Sequence, residues 1–189
     1  MEPSWYASLY RLFAFDLDGT LVRLNVDWGG LKRRLEALAR ERLGQTLEFS
    51  PLTPALERVL VEHGRGEHDA FVEVVASWEV EAAKRTAVPN WTAIDLLKSV
   101  HAEGKLVAVV TNNATQTARA AARRFGFLDC VDLFVGKGDV ERLKPDPAGL
   151  LLATRRLGVP PGETLFVGDS DEDEEAAKRA GVAFLRACW

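Results

Sequence analysis

Three short apolar runs in this chain each end in a cluster of polar side chains, and that recurrence constrains the fold more than any other feature. The first run, Leu12-Phe13-Ala14-Phe15, leads into Asp16-Leu17-Asp18-Gly19-Thr20. It is uncharged and aromatic-rich, and it reads as a strand buried on both faces. The second, Leu106-Val107-Ala108-Val109-Val110, leads into Thr111-Asn112-Asn113, and the third, Thr164-Leu165-Phe166-Val167, leads into Gly168-Asp169-Ser170-Asp171. Side chains two apart in a strand point the same way, so Asp16 and Asp18 face one site as far as the extended geometry continues. Two unpaired carboxylates at the end of a buried strand are costly unless a cation or a reaction needs them.

Helical periodicity fills the intervals. Residues 91–102, 115–125, 147–157 and 173–180 read as helices closed by Gly104, Gly126, Gly158 and Gly181, and further short strands are expected over 131–135 and 182–185. Strand alternating with helix predicts an α/β fold with a doubly wound parallel sheet. In such sheets ligands sit outside the carboxyl ends of the strands, where Asp16, Asp18, Thr111, Asn112, Asp169 and Asp173 all fall. Residues 24–87 break the alternation. Leu31, Leu35, Leu38 and Leu43 mark a helix stopped by Gly44, Thr53-Pro54 reads as a cap opening a second, and Phe71, Val75, Trp78 and Ala82 mark a third after a Gly64-Arg65-Gly66 turn. The expected organisation is a core of residues 1–23 and 88–189 with a helical subdomain, 24–87, inserted after the first strand.

Composition narrows the class. A length of 189 residues suits one packed core with a small appendage, and 47% hydrophobic with 28% charged residues is ordinary for a soluble globular protein. A net charge of −4 argues against nucleic acid or an anionic membrane as the main partner. Residues 1–11 lack an apolar signal core, and no run approaches the ~20 residues that span a bilayer, so a cytoplasmic protein without a membrane partner is expected. Cys130 and Cys188 have no metal-ligand spacing.

The set Asp16-Leu17-Asp18-Gly19-Thr20, Thr111-Asn112, Lys144-Pro145 and Gly168-Asp169-Ser170-Asp171-Glu172-Asp173 resembles, in order and separation, the four motifs of the haloacid dehalogenase superfamily. The resemblance covers nearly the whole chain. It implies a Rossmann-like core, a Mg2+ cofactor and phosphoryl transfer. In that frame Asp16 is the nucleophile that forms an aspartyl-phosphate, and Asp18 is the general acid and then the general base. Asp16, Asp169 and the Asp18 backbone carbonyl hold magnesium, with Asp173 as an additional or supporting ligand. Thr111 and Asn112 bind phosphoryl oxygens, and Lys144 balances charge on nucleophile and phosphate. Dehalogenating members lack the second carboxylate, so Asp18 favours phosphomonoester hydrolysis. The insert resembles the family's small helical cap, which closes over the site.

The expected activity is therefore Mg2+-dependent hydrolysis of a small phosphorylated metabolite, phosphoglycolate-like. A sugar-phosphate mutase and a non-catalytic binding or regulatory protein are the alternatives. Several features carry no chemistry in this reading. Val22-Arg23-Leu24-Asn25 lacks the acidic or hydroxyl residue common after the first motif, and Arg23 reads as a solvated hinge residue. Asn113 reads as a cap of the helix that follows it. His63, His68 and His101 read as surface residues. Gly136-Lys137-Gly138 is a fragment of a dinucleotide fingerprint, and Lys137 competes with Lys144 without its proline context. Trp5, Trp28, Trp78, Trp91 and Trp189 read mostly as core or subdomain contacts.

Overall fold

The computed structural model describes residues 8–189; Trp5 lies outside them. Five parallel strands form the main sheet: β1 (Leu12–Phe15), β4 (Leu106–Ala114), β5 (Leu133–Lys137), β6 (Thr164–Gly168) and β7 (Ala183–Arg186), in the order β5-β4-β1-β6-β7. The most apolar strand takes the central place. In β1, Phe13 and Phe15 point into one core layer while Leu12 and Ala14 point into the other, and all four are buried. Side chains on both faces are apolar because helices cover both faces. Phe15 pairs with Val109 on one side and Val167 on the other. That register delivers Asp16, Thr111 and Asp169 to the same edge of the sheet.

The helices between strands sit on opposite faces. α4 (Trp91–Ala102) and α5 (Thr115–Phe125) bury Ile94, Leu97, Ala118 and Ala121 against one face; α6 (Ala148–Leu157) and α7 (Asp171–Ala180) bury Leu150, Ala153, Ala176 and Ala177 against the other. Three helices precede them: α1 (Trp28–Leu43), α2 (Leu52–His63) and α3 (Arg65–Arg85). They have an apolar cluster of their own, built on Leu31, Leu35, Val59 and Phe71, with Phe71 stacked on Phe49 at 5.4 Å between ring centroids. The insert leaves and re-enters the core through a short antiparallel pair, β2 (Val22–Arg23) and β3 (Val88–Pro89). Next to it, the Thr86 hydroxyl donates toward the Leu24 and Asn25 carbonyls, and the Asn25 amide donates back to the Thr86 carbonyl at 3.2 Å. Among the described residues no helix is long and apolar enough to cross a membrane.

Several local expectations are corrected. Thr53 does not cap α2: the helix starts at Leu52 with Pro51 as its N-cap, and Thr53-Pro54 lie inside its first turn. The expected Gly64-Arg65-Gly66 turn shrinks to Gly64, which ends one helix and opens the next. Asn113 does not cap α5, because Ala114 occupies the N-cap position with no side-chain acceptor. The strand expected over 131–135 is displaced to Leu133–Lys137, and the β2–β3 pair was not anticipated, since two-residue strands carry no periodicity. Trp28, Trp91 and Trp189 are exposed rather than core residues; Trp78 packs onto Gly30, where an added Cβ would lie 2.6 Å from its ring.

Phe71 tests the apolar cluster that joins α1, α2 and α3. Phe71→Ala is expected to lower stability by about 3–5 kcal/mol, the usual cost of deleting a fully buried ring. Thermal and urea unfolding followed by the fluorescence of Trp28 and Trp78 would show it.

Candidate active site

The backbone after β1 folds back at once. The Asp16 amide donates to the Val167 carbonyl at 2.9 Å, fixing the end of β1 to β6. The Leu17 carbonyl then accepts the amides of Leu21 and Val22, both at 2.9 Å, so residues 17–22 form a tight turn. Asp16 and Asp18 therefore reach the same cleft through a turn, and strand alternation does not bring them there. Gly19 enables this shape. Its φ of 93° is a left-handed conformation, and a Cβ there would lie 2.3 Å from a carboxylate oxygen of Asp169.

Lys144 lies at the centre. It is buried, and its ammonium donates to Asp16 Oδ1 and to Asp173 Oδ1, both at 2.5 Å. Asn112 fixes the lysine's backbone: its Oδ1 accepts the Lys144 amide at 2.9 Å and its Nδ2 donates to the Lys144 carbonyl at 3.1 Å. Asp173 is held in turn by Ser170, whose amide and hydroxyl both donate to Asp173 Oδ2, at 3.1 and 2.7 Å. The Ser170 hydroxyl also accepts the Asp173 amide, a reciprocal cap at the start of α7. The Thr111 hydroxyl donates to Asn113 Oδ1 at 3.1 Å. Asp18 Oδ1 accepts the Leu24 amide at 2.9 Å, and Asp169 Oδ1 accepts the Thr20 hydroxyl at 3.2 Å.

These groups surround a cleft of about 240 Å³ lined by Asp16, Asp18, Thr111, Asn112, Asn113, Lys144, Asp169, Ser170, Glu172 and Asp173. Burial raises the Asp16 carboxyl to about 6, against the opposing pull of Lys144 and with a further push from Asp173. Asp18 is also raised, first by the protein packed around it; the Leu24 amide counters this, Asp169 adds to it and Arg23 opposes it. Asp18 reaches solvent at the cleft mouth, so its surroundings perturb it through a wet medium. Burial works against the charge on Lys144, but Asp16 and Asp173 outweigh it and hold the ammonium protonated. Oxygens of Asp16, Asp169 and Asp173 lie within 4.8 Å of one another. One ammonium cannot neutralise three carboxylates, and a cluster of hard oxygen donors suits a divalent cation.

A polar cleft at the carboxyl edge of a parallel sheet, with two carboxylates on the first strand's turn and a lysine between others, matches a known family. The sequence model for the haloacid dehalogenase-like hydrolases matches residues 10–181. The chain belongs to that family. Relatives of this hydrolase include the pyrophosphatase PpaX of Halalkalibacterium halodurans, 30% identical over 186 residues that cover 89% of this chain and 79% of the relative. The phosphoglycolate phosphatase of Salmonella typhimurium is 31% identical over 197 residues, covering 90% and 78%. Among solved structures, CbbY from Rhodobacter sphaeroides in complex with phosphate shares the fold, with a TM-score of 0.69 at 23% identity over 95% of this chain and 87% of that one. The hydrolase is a phosphatase of the phosphoglycolate-phosphatase-like kind, with an α/β core.

All seven residues singled out from the sequence of this hydrolase meet at the cleft: Asp16, Asp18, Thr111, Asn112, Lys144, Asp169 and Asp173. Lys137 lies outside its lining. Arg23 is exposed and stacks on the Trp189 ring at 4.4 Å, while the Trp189 indole N–H donates to the Gly19 carbonyl. Sequence reasoning missed Ser170 as the holder of Asp173, although Ser170-x-x-Asp173 is a capping signature legible in the chain. It also missed Glu172 as a wall of the cleft and Glu79 of α3 as a neighbour of Asn113 and Asp18.

Two outcomes follow. Gly19→Ala is expected to push Asp169 away and weaken divalent-cation binding by at least about tenfold, one misplaced ligand's worth, measurable by calorimetric titration. In the metal-free protein, folded Asp16 keeps its proton to about pH 6, whereas unfolded Asp16 releases it near 3.8. The unfolded state thus binds fewer protons between those values, so this group lowers stability as pH rises through the window. Denaturant unfolding at pH 4 and pH 7 is expected to show that loss in the parent protein and not in Asp16→Asn.

Proposed function

We propose that this phosphatase hydrolyses a small phosphomonoester, phosphoglycolate-like, through an aspartyl-phosphate on Asp16. The observation that carries the reading is the division between the two carboxylates of one turn. Asp16 is buried and held by Lys144, which suits a nucleophile of fixed direction; Asp18 sits at the cleft mouth with a raised pKa, which suits a group that takes and gives a proton. An Asp16 oxygen attacks phosphorus and the ester P–O bond breaks. The departing oxygen takes the proton of Asp18. A water then gives a proton to Asp18 and attacks the same phosphorus, releasing inorganic phosphate and restoring the Asp16 carboxylate.

Lys144 stays protonated and offsets charge on Asp16 and the phosphoryl group. Thr111 lines the wall where phosphoryl oxygens would lie. The side-chain amide of Asn112 is taken up by the Lys144 backbone, which supports a role in placing that lysine as well as in the phosphate wall. Asp16 and Asp169 have the donor chemistry for Mg2+, with Asp173 supporting them, since both of its oxygens already hold Lys144 and Ser170. Bound magnesium would supply charge neutralisation of the phosphate. The helices of residues 24–87 act as the cap that selects the substrate. A small substrate is supported by the modest cleft and by relatives named for phosphoglycolate and pyrophosphate. The free cysteines Cys130 and Cys188 fit a cytoplasmic enzyme.

A panel of phosphomonoesters with Mg2+ tests this, with free phosphate as the expected product. Asp16→Asn is expected to lose more than about a thousandfold in turnover, and Asp18→Asn about 10²–10⁴-fold. An isomerised sugar phosphate in place of free phosphate, or full activity of Asp16→Asn, would overturn it.

A further inference from the structure

Residues 186–189 touch both loops that carry the acidic motifs. Arg186 ends β7, and its guanidinium donates to the Asp169 carbonyl at 2.8 Å and to the carboxylates of Asp171 and Glu174 in the first turn of α7. The Ala187 amide donates to the Gly168 carbonyl at 2.8 Å. The Cys188 carbonyl accepts the side-chain amide of Asn90, the N-cap of α4, at 3.1 Å. Trp189 then donates its indole N–H to the Gly19 carbonyl, and the Arg23 guanidinium lies over its ring, 4.4 Å from the centre. With 49% of its surface exposed, Trp189 is no core residue, and the N–H bond is the contact that singles out an indole at this position.

These contacts close a circuit around the first turn. Glycine has more backbone freedom than any other residue, so the shape of the turn at Gly19 depends on what holds its two polar groups. The Gly19 amide donates to the Val22 carbonyl at 2.7 Å, inside the turn, and the Gly19 carbonyl accepts Trp189 from outside it. Thr20, next in the chain, donates its hydroxyl to Asp169 Oδ1 at 3.2 Å, and the Asp169 carbonyl accepts Arg186, three residues before Trp189. The circuit therefore runs from Trp189 through Gly19, Thr20 and Asp169 back to Arg186. Without the indole N–H, water would satisfy the Gly19 carbonyl but would not fix its direction.

We propose that Trp189 is a positioning residue whose indole N–H fixes the Gly19 peptide and, through it, the spacing of Asp18 and Asp169 at the edge that binds the cation. The inference deepens the phosphatase reading and rests on it for what that edge binds. Trp189 lies outside the lining of the cleft, so its effect passes through the turn. The Asp18 carbonyl, one peptide before the Gly19 carbonyl, moves with that turn, and the Thr20 hydroxyl on Asp169 moves with it too. The phosphate wall at Thr111 and Lys144 belongs to other loops and is left in place.

The test uses the whole chain, with Mg2+ alone as the probe in calorimetric titration and a phosphomonoester as substrate. Trp189→Phe keeps an aromatic ring for Arg23 and removes the N–H donor. It is expected to weaken Mg2+ binding by about three- to tenfold, the scale of one neutral hydrogen bond. At saturating Mg2+, kcat should fall by a similar factor while KM stays close to the parent's, because the phosphate wall is untouched. In the metal-free protein, hydrogen exchange at the Gly19 amide should quicken in Trp189→Phe while exchange in α1 stays unchanged. Trp91→Phe, which removes another exposed indole, should alter none of these. Unchanged Mg2+ affinity and unchanged Gly19 exchange in Trp189→Phe would overturn the proposal. So would a loss seen only in Trp189→Ala, since it would assign the effect to the ring and not to its N–H. A parent protein without phosphomonoester hydrolysis would defeat the functional reading alone, and the Mg2+ titration and Gly19 exchange would still decide on Trp189.

Discussion

A single buried ammonium ties the site together. Lys144 lies between Asp16, at the end of the central strand, and Asp173, in the first turn of α7. A partnerless charge buried at this depth costs several kcal/mol, on the order of 3–5 when one member of such a pair is removed. Each partner is therefore held in place by the others. Asn112 grips the lysine's backbone from the end of β4, and Ser170 grips Asp173 from the end of β6. Three neighbouring strands are thereby locked at one edge, and the cleft's charged groups hang from elements buried on both faces. The arrangement is also unbalanced. Two carboxylates share one ammonium, Asp169 stands close by, and burial pushes Asp16 well above the usual carboxylate range. That surplus of negative charge is the physical reason the site suits a cation.

Close backbone approach supports the same geometry. Gly19 lets the first turn pass against the Asp169 carboxylate, and Gly168 does the equivalent for Asp173, whose Cβ would lie 2.6 Å from an added one. The tail of the chain adds to this. The Ala187 amide donates to the Gly168 carbonyl at 2.8 Å, and Arg186 donates to the Asp169 carbonyl at 2.8 Å. The loops that carry the two acidic motifs are thus fastened from both sides.

Much of this was legible because burial and polarity leave a clear trace in sequence. A strand covered on both faces must be apolar throughout, so Phe13-Ala14-Phe15 and Val107–Val110 announced themselves, and the polar residues just beyond them marked the edge where ligands bind. Features set by tertiary contact left no such trace. Asn113 has the composition of a cap, yet its side-chain oxygen is taken by the Thr111 hydroxyl and Ala114 holds the cap position. Trp28, Trp91 and Trp189 are large and apolar, yet they lie exposed at the surface. Thr53-Pro54 has the right residues for a helix start, but Pro51 already begins the turn. The Ser170–Asp173 box was written plainly in local spacing. Asp173 there serves twice, as the partner of the Ser170 cap and as a carboxylate on Lys144.

The junction at Val22–Arg23 and Val88–Pro89 has an implication for how such a chain varies. Seen from the sheet, residues 24–87 are one long loop whose two ends are already fastened together. The entropy of closing a loop grows only with the logarithm of its length, about 0.6 kcal/mol for each doubling. Beyond that fastening the core depends on the end of α3, which buries Ala82 and Ala83 in the core's own cluster, more than on the length of chain between. The stretch with its own packed cluster, around Leu35, Val59 and Phe71, can be lengthened or shortened at that low entropic cost, while the charges at the sheet's edge keep their places.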